Sequence, residues 1–301
     1  MATKLPLRSE GQQLASILEE LQREQQVKEI TGWETGFPHL SRALDGILSG
    51  VYFLIGPPAC GKTSFAKQLL DQIAKNNGVP GVFFSFAENN KELRIKTLAR
   101  LSGMESREIR RGSAYLLHWY GVPKRHYTDA EGLPPSWDKL KKTAEEAQSW
   151  LDLIYLIQCD RETDLKWIEE QICALKNIKG NDRAMVVIDD CQCLASSERA
   201  LTRRFAMLAE ALQRTAVSLE IPMLAVCPDL REDRSALPQI WAELAPSADV
   251  VLVMEIDSER TRNLTEPNLA ISVHIVKNRG GERGQLAFDF YPAFGRFVEI
   301  A

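Results

Sequence analysis

The chain has 301 residues, 45% of them hydrophobic, and a formal net charge of −4. That length and apolar content suffice for one large α/β core or two smaller ones. The mild acidity argues against a surface coated with phosphate-binding charge, although a local basic stripe can still contact nucleic acid. No apolar run is long enough to span a membrane and the amino terminus lacks a hydrophobic signal core, so we expect a cytoplasmic protein without membrane contact.

Residues 1–30 are predicted to form a segment apart from the main domain. Within residues 10–30, apolar side chains recur at helical spacing, with charged residues on the other side. These apolar residues are Leu14, Ile17, Leu18 and Leu21. An amphipathic helix at the edge of a domain must bury its apolar stripe. The pattern therefore predicts a helix that packs on its own core or on a neighbouring subunit.

The stretch "VYFLIGPPACGKTSFAKQLLDQIA", residues 51–74, predicts an apolar strand, a tight turn and a helix. The turn fits the phosphate-binding pattern G-x-x-x-x-G-K-[ST], in which backbone N–H groups and the helix N-terminus face phosphate oxygens. Lys62 is expected to neutralise the β- and γ-phosphates, and Thr63 to offer its hydroxyl to Mg²⁺. The predicted nucleotide-binding residues are Gly56, Pro57, Pro58, Ala59, Cys60, Gly61, Lys62, Thr63 and Ser64. The alternative is a glycine-rich turn that binds nothing.

Further strands alternate with helical stretches, which is typical of a mostly parallel sheet flanked by helices on both faces. The later strands are predicted at residues 78–86, 150–158, 184–190, 221–227, 249–256 and 270–279. In "MVVIDDCQ", four apolar residues are followed by acids. The carboxyl edge of such a strand lies beside the phosphate loop. Asp189 is therefore predicted to face Mg²⁺. Gln192 is placed to sense the γ-phosphate, although a solvated loop glutamine fits its position equally well.

Several blocks occur in an order and at spacings that resemble the C-terminal motor domain of DnaB-type replicative helicases. They include the phosphate loop, "VVIDDCQCL", "SADVVLVMEID" and the closing "IVKNRGGERGQLAFDFYPAFGRF". The resemblance covers residues 31–301 and implies a RecA-like P-loop NTPase fold, with KaiC-type ATPases as near relatives. It also implies ATP and Mg²⁺ as ligands, and a linker helix within residues 1–30 that packs on the next subunit of a hexameric ring.

The same resemblance implies roles for three further residues. Lys277 and Arg279 match a basic pair that reaches the neighbouring subunit's γ-phosphate as an arginine finger in trans; two solvated charges before a turn are the alternative. Ala87 stands where the family carries its catalytic glutamate, and the adjacent Glu88 matches the second of two tandem acids in KaiC-type relatives. A one-residue shift reverses the face of a side chain unless the strand has already ended. Either Glu88 enters the site or hydrolysis is slow.

Two further features depart from the family pattern. Cys227 and Pro228 replace a Ser-Gln pair whose glutamine reports the nucleotide state. The loops that line the DNA channel in the helicases are short here, yet they keep several arginines that would form a positive funnel in a ring. These candidate DNA-binding residues are Arg199, Arg203, Arg204, Arg231 and Arg234. Ordinary surface arginines are the alternative.

Two functions from different classes remain open at this stage. The overall resemblance predicts an ATP-driven ring that acts on single-stranded DNA, a DnaB-like DNA helicase with a possible loader or partner protein. The short loops and the shifted acid favour instead a RecA/KaiC-like regulatory or assembly ATPase without unwinding activity. Stimulation of ATP turnover by single-stranded DNA distinguishes the two, because a motor couples binding of its track to hydrolysis.

Overall fold

The computed structural model describes residues 30–111, 136–180, 182–194, 201–229 and 241–300, together with Leu14. The strands are β1 Gly50–Gly56, β2 Gly81–Ser85, β3 Ile154–Gln158, β4 Met185–Asp189, β5 Pro222–Pro228, β6 Val250–Ile256, β7 Leu269–Asn278, β8 Gly284–Tyr291 and β9 Arg296–Ile300. The α-helices are α1 Pro38–Leu44, α2 Lys62–Asn77, α3 Asn90–Ser102, α4 Ser106–Arg111, α5 Ser136–Leu151, α6 Leu165–Lys179, α7 Leu201–Leu219, α8 Trp241–Leu244 and α9 Ser258–Thr261.

Within the described residues, nine strands form one sheet in the order β3-β2-β4-β5-β1-β6-β7-β8-β9. The six strands from β3 to β6 in that order are parallel, and β7, β8 and β9 extend the sheet in antiparallel fashion. β1 is buried along its whole length, which agrees with its uninterrupted apolar sequence. Because the carboxyl ends of parallel strands share one edge, the segments that follow β1, β2, β4 and β5 converge.

Helices flank both faces of the sheet and divide the core in two. On one face α2 and α3 contribute buried side chains such as Phe65, Leu69 and Leu93. On the other face α6 and α7 contribute buried side chains such as Ile172 and Phe205. The predicted α/β class with a mostly parallel central sheet is therefore confirmed. Among the described helices, none combines the length and the apolar character that a membrane span requires.

One strand prediction was wrong at its start. Residues 150–158 were predicted as a single strand, but Trp150 and Leu151 end α5 and the strand runs only over Ile154–Gln158. The apolar run "WLDLIYLIQ" contains the end of an amphipathic helix and the whole of a strand. Its periodicity alone does not show where the helix stops, because both elements place apolar residues close together there.

Candidate nucleotide-binding site

The loop between β1 and α2 has a backbone that requires glycine at both ends of the motif. Gly61 adopts φ +91°, and a Cβ there would lie 2.8 Å from both the Phe290 and Phe297 rings. A Cβ on Gly56 would lie 2.9 Å from the Cys60 sulfur. The two phenylalanine rings stack with centroids 4.3 Å apart. Side chains of β8 and β9 therefore pack directly against the end of the loop at Gly61. The glycine spacing thus reflects close packing as well as loop curvature.

The predicted nucleotide-binding residues form one continuous turn. Lys62 Nζ donates hydrogen bonds to the carbonyl oxygens of Gly56, at 2.7 Å, and Pro57, at 2.9 Å, so its ammonium lies inside the loop. Pro58 and Ala59 at the tip are exposed. The other members are buried or partly buried: Gly56, Pro57, Cys60, Gly61, Lys62, Thr63 and Ser64.

Asp189 ends β4 and lies within reach of Thr63. Its carboxyl is close enough to Thr63 for hydrogen bonding by that side chain to lower the pKa of Asp189. Asp189 is only 3% exposed, and its Oδ2 has no hydrogen-bond partner among the described residues. Burial raises the pKa of Asp189, while the Thr63 hydrogen bond and the nearby Lys96 charge oppose that rise. The structure thus brings together Thr63 and Asp189, the two predicted Mg²⁺ ligands, and their role as ligands stays a prediction.

The turn after β2 determines where the candidate catalytic acid lies. β2 ends at Ser85, whose Oγ donates to the Glu88 carbonyl oxygen at 2.6 Å and accepts from the Glu88 N–H at 3.2 Å. Ala87 is exposed, whereas Glu88 is partly buried. The Glu88 charge contributes to the raised pKa of Asp189, so the two carboxylates act on one another. The strand has ended before these residues, and the reversal of faces along a strand does not apply to Glu88.

Two more residues lie at this site, and sequence reasoning missed the first of them, Lys96. Lys96 on α3 forms an ion pair with Glu88, with Nζ and Oε2 2.6 Å apart. Asp190 accepts hydrogen bonds from the backbone N–H of Gln192 at 3.1 Å and from its Nε2 at 2.8 Å. Burial raises the pKa of Asp190 to about 6. No local pattern signals Lys96, because it lies in the second turn of α3 whereas Glu88 lies in the turn before that helix.

The segment after β5 crosses next to the phosphate loop. Asp229 N–H donates to the Gly56 carbonyl oxygen at 3.0 Å, and Pro228 is paired with Gly56 in the sheet register. Cys227 is buried against Cys191, with the two sulfur atoms 2.8 Å apart, and both thiols are free. Where the family carries a Ser-Gln pair, this chain therefore has a buried thiol and a proline.

The predicted finger residues lie at the opposite edge of the sheet. Arg279 Nη1 is 2.7 Å from Asp249 Oδ1, and Lys277 Nζ donates to the Ala245 carbonyl oxygen. Asp249 in turn accepts from the N–H of Val51 at the start of β1. The phosphate loop follows the other end of β1, about 17 Å away at the usual rise per residue of a strand. Within one subunit the structure does not bring Lys277 and Arg279 to the phosphate loop.

The candidate DNA-binding arginines fall into two groups. Arg203 is exposed on α7, whereas Arg204 donates from Nη2 to the carbonyl oxygens of Gln192, at 2.7 Å, and Leu194. Arg204 thereby joins α7 to the segment that leaves β4. The other three lie outside the described residues: Arg199, Arg231 and Arg234.

The chain also matches a known protein family. The family model described as the DnaB-like helicase C terminal domain matches residues 32–299. The chain belongs to this family. The resemblance inferred from the ordered sequence blocks is thereby confirmed over almost the whole segment for which it was predicted.

Relatives of this DnaB-like domain include full replicative helicases. The replicative DNA helicase DnaB of Treponema pallidum (strain Nichols) is 24% identical over 278 residues, which cover 90% of this chain and 56% of that protein. The DnaB of Geobacillus stearothermophilus is 23% identical over 284 residues, which cover 90% of this chain and 57% of that protein. The chain thus spans about half the length of the curated relatives it matches.

Solved structures confirm the RecA-like fold of the DnaB-like domain. One solved ATPase domain superimposes with a TM-score of 0.78 at 20% identity, covering 98% of this chain and 100% of that one. A DnaB-like replicative helicase, described with its interactions with primase, gives 0.77 at 20% identity over 97% of this chain and 69% of that one. A KaiC-like protein from Pyrococcus horikoshii superimposes with a TM-score of 0.55 at 16% identity, covering 89% of this chain and 98% of that one.

Proposed function

We propose that this DnaB-like domain is the ATP-hydrolysing motor of a ring-shaped DNA helicase that moves on single-stranded DNA. One observation carries the proposal. Lys62, Thr63 and Asp189 meet at the carboxyl edge of the sheet, while Lys277 and Arg279 are bound at the amino edge. The two halves of a phosphoryl-transfer site are therefore separated within one chain, and a neighbouring copy must supply the cations.

ATP is the substrate that we propose for the loop. Its phosphates would replace the Gly56 and Pro57 carbonyl oxygens as acceptors for Lys62, and the backbone N–H groups at the start of α2 would contact the same oxygens. Each contact of this kind joins a charged or dipolar donor to a phosphate oxygen, and such hydrogen bonds are stronger than neutral ones.

Mg²⁺ is the ion that we propose for Thr63 and Asp189. The buried Oδ2 of Asp189, which has no hydrogen-bond partner in the described part of the chain, fits a cation, because an unpaired desolvated carboxylate is costly. No group of three or more His, Cys, Asp or Glu side chains that could hold a metal occurs within the described residues. That suits Mg²⁺, which is usually bound by one or two protein ligands together with phosphates and water. When bound, the ion neutralises charge on the phosphates.

Glu88 is the acid that we propose to polarise the attacking water. Its carboxylate is partly buried, it influences Asp189, and Lys96 restrains its orientation through the ion pair. Gln192 is proposed to respond to the γ-phosphate. Its side chain donates to Asp190, one residue beyond Asp189, so a change at the phosphate can alter that hydrogen bond.

The assembly that we propose is the hexameric ring of the family, with a linker helix in residues 1–30 that packs on the next subunit. Single-stranded DNA would pass through the centre, near the candidate arginines of the segments that follow β4 and β5. Multiplication of these charges around a ring would attract the phosphate backbone even though the chain has a net charge of −4. A loader or another partner protein belongs to the same proposal.

The experiment that tests the proposal measures steady-state ATP hydrolysis with and without an unstructured single-stranded oligonucleotide. We expect the DNA to raise turnover by about tenfold or more, because a motor couples its track to hydrolysis. In Lys62→Ala, loss of a charged phosphate contact should weaken ATP binding by about 2–4 kcal/mol and abolish turnover. Turnover that does not respond to DNA would support the regulatory-ATPase alternative, and unchanged ATP affinity in Lys62→Ala would refute the assignment of the loop.

A further inference from the structure

Asp249 joins the Arg279 side chain to the start of β1. The two oxygens of its carboxylate have different partners. Oδ2 accepts from the Val51 N–H at 2.9 Å, and Oδ1 lies 2.7 Å from Arg279 Nη1. The two residues are also joined through their backbones, because the Arg279 N–H donates to the Asp249 carbonyl oxygen at 2.9 Å. Arg279 is thus connected, through one side chain, to the strand that ends in the phosphate loop of its own subunit.

Gly50 leaves the space that the Asp249 carboxylate occupies. Gly50 has φ +146°, and a Cβ at this position would lie 2.5 Å from Asp249 Oδ2 and 2.9 Å from its Cγ. Any side chain at Gly50 would therefore displace the carboxylate from the Val51 N–H. Segments from β1, β6 and the end of β7 are all needed to build this arrangement.

The charge of Asp249 is not explained by a contribution to the free energy of unfolding. The Arg279 side chain is 61% exposed, and exposed ion pairs contribute little to the free energy of unfolding. The Val51 N–H needs only an acceptor, and a neutral amide oxygen would satisfy it. The negative charge therefore acts on the basic residues at the end of β7: it pairs with Arg279 and also raises the pKa of Lys277, against burial and the Arg279 charge, which lower it.

We propose that Asp249 is a positioning residue that orients the Arg279 guanidinium for the phosphates bound by the neighbouring subunit. The proposal rests on the proposed role of Arg279 as a finger in trans. A finger acts mainly on charge that develops in the transition state, where a small error of placement has a large effect on rate. Loss of the Asp249 charge should therefore lower kcat and leave the KM for ATP almost unchanged.

The first test compares Asp249→Asn with wild type in steady-state ATP hydrolysis by the assembled protein with single-stranded DNA. The amide oxygen can still accept from the Val51 N–H, so the substitution removes only the charge. We expect kcat to fall about tenfold, with KM within about twofold of wild type. Asp289→Asn is the matched control, because it breaks a comparable ion pair with Arg260, at 2.9 Å, away from the finger. Its kcat should equal that of wild type.

The second test asks which side of the subunit interface carries the defect. Asp249→Asn chains keep an intact phosphate loop, and Lys62→Ala chains keep an intact finger, so mixing the two should restore turnover at the interfaces that pair the intact halves. Mixing Asp249→Asn with Arg279→Ala should not raise turnover above that of Asp249→Asn alone, because neither chain supplies a correctly oriented finger. Damage that spread along β1 to the phosphate loop would give the reverse pattern. If Asp249→Asn does not fold, Asp249→Ser, which can also accept from the Val51 N–H, takes its place in the mixtures.

In the first test, an unchanged or raised kcat in Asp249→Asn, or a defect confined to KM, would overturn the inference. In the second test, rescue of Asp249→Asn by Arg279→Ala chains would overturn it. Failure of the proposed finger would look different, because Arg279→Ala itself would then keep the wild-type kcat. A loss of turnover in Arg279→Ala together with normal turnover in Asp249→Asn would refute the positioning role alone.

Discussion

Glu88 and Ala87 differ by one position, and the Ser85 side chain decides which of them can act in the site. By bonding to both the N–H and the carbonyl of Glu88, the Ser85 hydroxyl closes a turn directly after β2. Ala87 is on the outside of that turn and has no functional group. Glu88 is ion-paired with Lys96 and influences Asp189. These surroundings support Glu88, and not Ala87, as the residue that we propose to polarise the attacking water.

At this residue scale we predict that Glu88→Gln binds ATP as wild type does but loses turnover by about two orders of magnitude or more. The amide keeps the size of the side chain and removes its capacity to accept a proton. ATP affinity and steady-state hydrolysis are the two measurements. Glu92→Gln is a suitable control, because Glu92 is also near the start of α3 but pairs with Arg110. Full activity in Glu88→Gln would direct attention to Asp190, whose raised pKa also suits proton transfer.

At the scale of elements, α2 and α3 are joined by a buried polar network centred on Asp71. Its carboxylate accepts from Lys67 on the same helix, and from Thr97, at 2.8 Å, and Arg100 on α3. Asp71 is 2% exposed and Lys67 is 1% exposed. Burial lowers the pKa of Lys67, and Asp71 opposes that change. Because α2 begins at the phosphate loop and α3 carries Lys96, the network also fixes the position of Lys96 relative to the phosphate loop.

We predict that Asp71→Ala lowers the free energy of unfolding by about 3–5 kcal/mol, because it leaves Lys67 and Arg100 buried without a counter-charge. Urea denaturation followed by circular dichroism measures the change. Glu92→Ala breaks the partly exposed pair with Arg110 and should cost about 1 kcal/mol or less. A loss in Asp71→Ala no larger than that of the Glu92 control would show that the network contributes little to stability.

At the scale of the whole molecule, the sheet separates the functions of its two edges. The phosphate loop and Asp189 follow the carboxyl ends of parallel strands, while Arg279 follows β7, which runs antiparallel to β6. The antiparallel extension of the sheet therefore delivers Arg279 to the amino edge. This arrangement is the basis of our proposal that a neighbouring copy completes the site with its Arg279.

We predict that Arg279→Ala binds ATP nearly as well as wild type but hydrolyses it about 10³-fold more slowly, because Lys62 and the loop amides hold the ground-state phosphates. For the wild-type protein, the rate per chain should fall on dilution below the concentration at which subunits separate. Analytical ultracentrifugation at each concentration defines the assembly state. A constant rate per chain in a demonstrated monomer would contradict the proposed trans arrangement.

Much of the site could be predicted because its signals are local in sequence. The glycine spacing of the phosphate loop, the lysine and threonine that follow, and the acid at the end of an apolar strand each depend on a short segment and on its place in an α/β alternation. Such patterns place Thr63 and Asp189 at the same edge without knowledge of any contact. The strand prediction for residues 150–158 was less successful, because the boundary between α5 and β3 depends on packing.

The sequence by itself determined the α/β class, the phosphate loop and the membership in the DnaB-like family, since these follow from motif spacing and from the order of elements. Only the tertiary structure decided that β2 ends before Glu88, that Lys96 pairs with this acid, and that Asp249 joins Arg279 to β1. The Asp249 contacts connect segments about 200 residues and about 30 residues apart in the chain, so no short-range periodicity encodes them. They form because parallel and antiparallel pairing brings the amino end of β1 next to the ends of β6 and β7.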